Sequence, residues 1–192
     1  ELYFPDKEAE EREEFKGKLS KGQLSSLLFI LASVALWYMG YNAVTSKYSL
    51  YATNVLNQNY NTTMLIAQGA AIVSFIPVGM IASKIGRKKT ILAGVLMLFA
   101  AFLAASFLRE GAPVFVMYGL FALAGIGWAT INVNSFPMVV ELSKEGDVGK
   151  YTGYYYTASM AAQVLTPILS GAIMDLAGNM LPLFPYAAVC VG

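Results

Sequence analysis

Residues 79–108 read GMIASKIGRKKTILAGVLMLFAAFLAASFL. Four basic side chains, Lys84, Arg87, Lys88 and Lys89, crowd into a short turn, and Ile91–Leu108 follows without a charge. An α-helix rises about 1.5 Å per residue and needs roughly 20 apolar residues to cross about 30 Å of hydrocarbon. Ile91–Leu108 therefore has close to the length of one crossing. Leu24–Val44 and Met64–Ala82 precede it, Val114–Val140 and Tyr154–Leu176 follow, and a sixth apolar stretch opens near Leu181 and stops at Gly192. The expected fold is all-α and polytopic, with these six stretches as spans 1 to 6.

Composition agrees. Of the 192 residues, 57% are hydrophobic and only 13% charged, with a mean hydropathy of +0.56; a soluble domain carries about 25% charge. The placement of charge says more than the net value of +1. Eleven of the 13 Lys and Arg lie in three places: the tail (Lys7, Arg12, Lys16, Lys18, Lys21), the turn at 83–90, and the loop at 142–151 with Lys144 and Lys150. Only Lys47 and Arg109 lie on the other side. The positive-inside rule puts the tail and both loops in the cytoplasm, so a multi-pass protein of the plasma membrane, that of a bacterium and hence its inner membrane, is expected. Four basic residues in one turn are ordinary topology charge and do not call for a nucleic-acid partner.

One cysteine, Cys190, and no histidine exclude an internal disulfide and any ordinary zinc site. No cofactor and no metal are expected. The acidic start ELYFPDKEAEEREEF is not a signal peptide. Residues 1–22 read as a cytoplasmic loop segment, helical near EAEEREEFKGKL, and residues 23–192 as a helical bundle. Both ends look cut, as in an internal piece of a longer membrane protein. There are no paired carboxylates at helical spacing within a span and no phosphate-binding loop, so no catalytic residue is assigned and the chain is not expected to be an enzyme.

Function must then reside in the polar residues of the spans. In span 4, Trp128, Asn132 and Ser135 recur at i, i+4 and i+7 and share a face, while Asn134 points elsewhere. Trp128 and Asn132 suit a cavity wall, because a flat aromatic beside an amide matches the C–H face and hydroxyls of a sugar. Asn134 suits helix–helix hydrogen bonding. In span 5, Thr152, Tyr156, Ser159, Gln163 and Thr166 form a stripe that faces either a wet pathway or a packed helix, with Pro167 just beyond as a bend or gating point. Span 1 carries Tyr38, Asn42 and Thr45 on one stripe and Trp37 with Tyr41 on its neighbour. Gln68 in span 2 is either a core partner or a cavity residue. Lys47 either snorkels or meets a carboxylate in the part of the protein outside this sequence. Glu141 and Asp175 close spans 4 and 5; Glu141 is placed in gate contacts with nearby Lys or Arg.

The turn Gly79–Lys89 resembles the GxxxD[RK]xGRRK signature of the major facilitator superfamily, which lies between the second and third helices of each six-helix half; here Ser83 stands in the acidic position. The stretches WYMGYNAVTSKYSLYATNVL and GIGWATINVNSFPMVVEL resemble the sucrose and disaccharide proton symporters of that superfamily and their bacterial relatives. The resemblance implies the C-terminal half of a twelve-helix transporter, helices 7 to 12 with the last truncated, working against an N-terminal half of the same protein by alternating access. Helices 7, 8, 10 and 11 would line the cavity, leaving the ninth, Ile91–Leu108, outside. The implied substrate is a sugar, with protons coupled through residues of the first half; a facilitator or exporter of another solute and a non-transporting sensor are the alternatives. The substrate-contacting set is then Trp37, Tyr38, Asn42, Gln68, Trp128, Asn132, Tyr156, Ser159 and Gln163. The gating set is Gly79, Lys84, Gly86, Arg87, Lys88 and Glu141.

Overall fold

Capping chemistry marks the boundary between the first two long helices. The computed structural model describes residues 21–143 and 147–192, as six helices without a strand among them. These are α1 (Lys21–Tyr51), continued by a π-helical turn (Ala52–Leu56), α2 (Tyr60–Ile85), α3 (Arg87–Ser106), α4 (Val114–Val140), α5 (Val148–Ala177) and α6 (Leu183–Val191). Asn57 leaves the π turn in the left-handed conformation, φ 55°, and Asn59 opens α2 by accepting a bond from the Asn61 N–H at 2.9 Å. Short polar side chains tolerate and cap such turns. The first five helices are each long and apolar enough to cross a bilayer; this is a multi-pass membrane protein.

Span 4 coincides with α4. Span 1 runs on past Lys47, and Lys21 and Gly22, assigned to the loop segment, lie at the start of the helix. α5 starts at Val148, six residues ahead of its apolar stretch, because a helix continues into polar surroundings wherever its backbone bonds are met. The acidic segment 1–20, its expected helix, and Lys144 lie outside the described residues.

α4 is the pivot of one group of helices. It packs on α2 along one side and on α3 along another, while α1 packs on α5 and α6. α3 against α6 joins the two groups, and α4 touches α5 and α1 more thinly. Small residues permit the close crossings, as is usual where lipid offers helices no hydrophobic reason to associate. A Cβ on Gly125 would collide with the Ala67 carbonyl oxygen of α2. On another face of α4, a Cβ on Gly127 would sit 3.0 Å from Gly94 O of α3, and one on Gly94 would sit 3.0 Å from Gly127 O. α3 buries Gly94, Leu98, Ala101 and Ala105 on one side and exposes Leu92, Leu96 and Leu103, an apolar surface suited to lipid.

Hydrogen bonds fasten the α1–α5–α6 group. Thr166 Oγ1 donates to Met39 O at 2.9 Å and lies 2.9 Å from the Tyr186 hydroxyl, so one side chain bridges three helices. Away from the basic turn, Tyr48 packs on Phe121 with ring centroids 4.2 Å apart, and Tyr51 meets Phe184 edge-on at 4.8 Å.

Candidate functional site

The thin contact between α1 and α4 is where the polar and aromatic side chains gather. Tyr41 of α1 stacks on Trp128 of α4, centroids 5.6 Å apart and planes 27° from parallel. Phe75 of α2 meets the same indole edge-on at 6.0 Å. Rings from three helices thus form one aromatic platform, with Tyr41 and Trp128 only partly buried. Gln68 lies two turns before Phe75 on α2 and so shares its face; it lines a small pocket with Tyr41 and Thr45. Among the described residues the Gln68 amide has no partner and its residue is exposed.

Asn132 stands one turn along α4 from Trp128, partly exposed, and its side-chain amide is likewise unpartnered among the described residues. One more turn brings Phe136, whose ring lies 5.3 Å from Tyr155 and 5.9 Å from Tyr156 of α5. Tyr38 of α1 closes on Tyr155 edge-on at 6.5 Å. Asn42 donates through Nδ2 to Tyr38 O at 2.9 Å, which leaves its carbonyl oxygen to accept. Tyr156 is 47% exposed, and Gln163, two turns further on the same face, is exposed too. Pro167 has no N–H to give the Gln163 carbonyl, so that residue offers both an unpartnered amide and a freed backbone acceptor.

Two expected site residues lie behind this group rather than on its open face, Trp37 with its ring centroid 4.0 Å from that of Tyr38. Trp37 is 4% exposed and lines an apolar cavity of about 420 Å³ with Ile91, Val95, Ile131 and Val191; its place beside Trp128 is taken by Tyr41, one turn away. The reason is the crossing of α1 by α4, which puts successive turns of one stripe against different neighbours. Ser159 is 1% exposed and donates to Tyr156 O at 3.1 Å; together with Thr166 it shows that the span 5 stripe divides between a packed seam and an open face. Asn134 is buried and bonds to Thr130 O of its own helix at 2.8 Å rather than to another helix. Phe75, and Tyr41 although it was placed on a span 1 stripe, are the two members outside the substrate-contacting set expected from the sequence. Phase was the available signal: Phe75 follows Gln68 by seven residues, and Tyr41 adjoins the Asn42 stripe.

At the basic end, Gly86 joins α2 to α3 at φ 90°, ψ 147°, a conformation open to glycine. The turn carries Lys84 and Lys88 exposed to either side and Gly79 partly buried two turns before it. Arg87 Nη2 pairs with Glu141 Oε1 at 2.8 Å, the two side chains 37% and 58% exposed. The expected contact of Glu141 with a basic neighbour is therefore made by Arg87, and it ties the α2–α3 turn to the end of α4. A family model described as Major Facilitator Superfamily matches residues 24–191.

Proposed function

Because the chain belongs to the Major Facilitator Superfamily of membrane transporters, we propose that it carries a sugar, a disaccharide or related glycoside, by alternating access with proton coupling. In this reading the six helices are the second half of a twelve-helix transporter in a plasma membrane. The basic end lies in the cytoplasm, and the Tyr41–Trp128 face looks onto the substrate path between the halves. The observation that carries the reading is the platform of Tyr41, Trp128 and Phe75, bordered by the unpartnered amides of Gln68 and Asn132. Aromatic faces accept the C–H surface of a pyranose, and amides supply both donor and acceptor to its hydroxyls. Asn42, Tyr38, Tyr156 and Gln163 extend the polar lining along α1 and α5; Trp37 and Ser159 act from behind it by packing.

Gating falls to the Gly79–Lys89 turn and Glu141. An exposed ion pair is worth about 0–1 kcal/mol, weak enough to open and close in each cycle. Arg87–Glu141 is such a pair, and Gly86 sets the turn that presents Arg87. Lys84 and Lys88 stand beside it as charges for the facing half.

The test is counterflow with the full-length protein in proteoliposomes, against labelled disaccharides, with and without a pH gradient. Saturable exchange that a proton gradient accelerates is the expected result. Uptake unchanged after collapse of the gradient would leave a facilitator. Sugar binding without flux would leave a sensor, and no response to any sugar would remove the substrate class.

A further inference from the structure

Between the basic turns and the opposite ends of the helices, the described chain carries four charged residues: Lys47, Arg109, Glu110 and Asp175. Arg109 and Glu110 are neighbours in the α3–α4 turn, where Arg109 donates to Ser106 O and Leu108 O at 2.7 and 2.8 Å. Lys47 and Asp175 remain. Lys47 is only partly exposed and lies nine residues before the end of the π turn at Leu56, roughly 14 Å of helix inside that end. An ammonium held only partly open to water is costly without a partner.

Its position points to one. A Cβ on Gly171 of α5 would sit 3.6 Å from Lys47 Nζ and 3.9 Å from Cε, so the glycine leaves the ammonium room against α5. Asp175 is one turn further along α5. Side chains four apart on a helix are about 5–6 Å apart at Cβ, and each tilts toward the helix N-terminus, which aims Asp175 back at Gly171. The carboxylate thus lies one helical turn from the point the ammonium approaches, and no ion pair is closed between them. Below them Thr166 pins α5 to Met39 of α1, and Pro167 follows at once, where a missing backbone bond lets the upper part of α5 bend.

Resting on the transport reading above, we propose that Lys47 and Asp175 form a salt bridge that fastens the far ends of α1 and α5 in one transport state and is open in the conformation described here. The two ends of the bundle then oppose each other: the Arg87–Glu141 pair is closed at the basic end while the Lys47–Asp175 pair is apart at the other. In alternating access the two ends of the path are not open together.

Two measurements on the full-length protein decide it. In proteoliposome uptake, Lys47→Ala and Asp175→Ala should each slow transport by about tenfold, Lys47→Ala/Asp175→Ala should be no worse than either, and the exchange Lys47→Asp/Asp175→Lys should recover to within about threefold of wild type. A fully active Asp175→Ala, or an exchange as slow as the single variants, overturns the proposal. Independently of flux, Lys47→Cys/Asp175→Cys in a protein otherwise free of cysteine should form a disulfide on mild oxidation in membranes, and failure to cross-link also overturns it. A pair that cross-links in a protein that moves no sugar would keep the contact and discard the sugar assignment instead.

Discussion

Two tryptophans and two asparagines divide this molecule into a face and a seam. Trp128 and Asn132 sit one turn apart on the partly open side of α4, the indole against Tyr41 and Phe75, the amide unpartnered. Trp37 and Asn134 have the same side chains at similar depth, yet Trp37 is walled in by α3, α4 and α6 and Asn134 spends its donor on Thr130 O. Residue type and depth do not distinguish the members of each pair. What does is the angular position of the residue relative to the nearest crossing helix, which decides whether a polar group is used up by the fold or left over for a ligand.

The largest expected effect comes from breaking the face. Trp128→Ala removes the ring that Tyr41 and Phe75 both contact, and should lower the apparent affinity for substrate by roughly thirtyfold, about 2 kcal/mol, as for a central aromatic anchor. Trp128→Phe should recover part of that loss. Competition binding and uptake on the same preparation measure it, with thermal unfolding as the control. An affinity for the probe sugar within twofold of wild type would take Trp128 out of the site.

The two asparagines sharpen the contrast at smaller amplitude. Asn132→Ala should weaken substrate binding by about tenfold, the worth of a hydrogen bond or two, without lowering the unfolding midpoint, since its amide holds nothing in the protein. Asn134→Ala should do the reverse. It removes a buried bond worth about 1 kcal/mol and leaves the binding constant alone. Equal effects of the two substitutions on affinity would mean that the face and the seam are not separate.

Much of this architecture was readable before any coordinates, for physical reasons that differ from part to part. The apolar stretches and the basic turns state the spans outright, because a bilayer demands length and charge placement of every helix that crosses it. The Gly86 turn and the basic partner of Glu141 follow from local chemistry. Gln68, Asn132 and Gln163 could be named because amides within spans are rare. Trp37, Ser159 and Tyr41 were not separable in the same way. Trp37 and Tyr41 share a stripe, and only the crossing of α4 over α1 sends one ring into the cavity near α3 and the other onto Trp128. Ser159 lies on the stripe with Gln163, and only the packing of α1 against α5 decides which of them is covered. Crossing points depend on contacts distant in sequence, such as Gly125 against Ala67, and no local period encodes them.

The smallest expected effect is also the most discriminating. Among the described residues the Trp37 indole N–H is buried without an acceptor, which costs about 1–3 kcal/mol relative to a satisfied donor. Trp37→Phe abolishes that donor but also gives up part of the ring, and lost packing of that size costs about 1 kcal/mol or somewhat more. The two terms oppose each other, so the unfolding midpoint should move little and the net change should stay within about 1 kcal/mol. Substrate affinity should not change at all. Trp37→Ala, by contrast, enlarges a cavity that already exists and should destabilise the bundle by about 3–5 kcal/mol, still with no specific loss of binding in whatever fraction folds. If Trp37→Phe instead weakens sugar binding as Trp128→Phe does, the seam behind α1 opens to the substrate during transport, and the cavity beside Trp37 becomes part of its path.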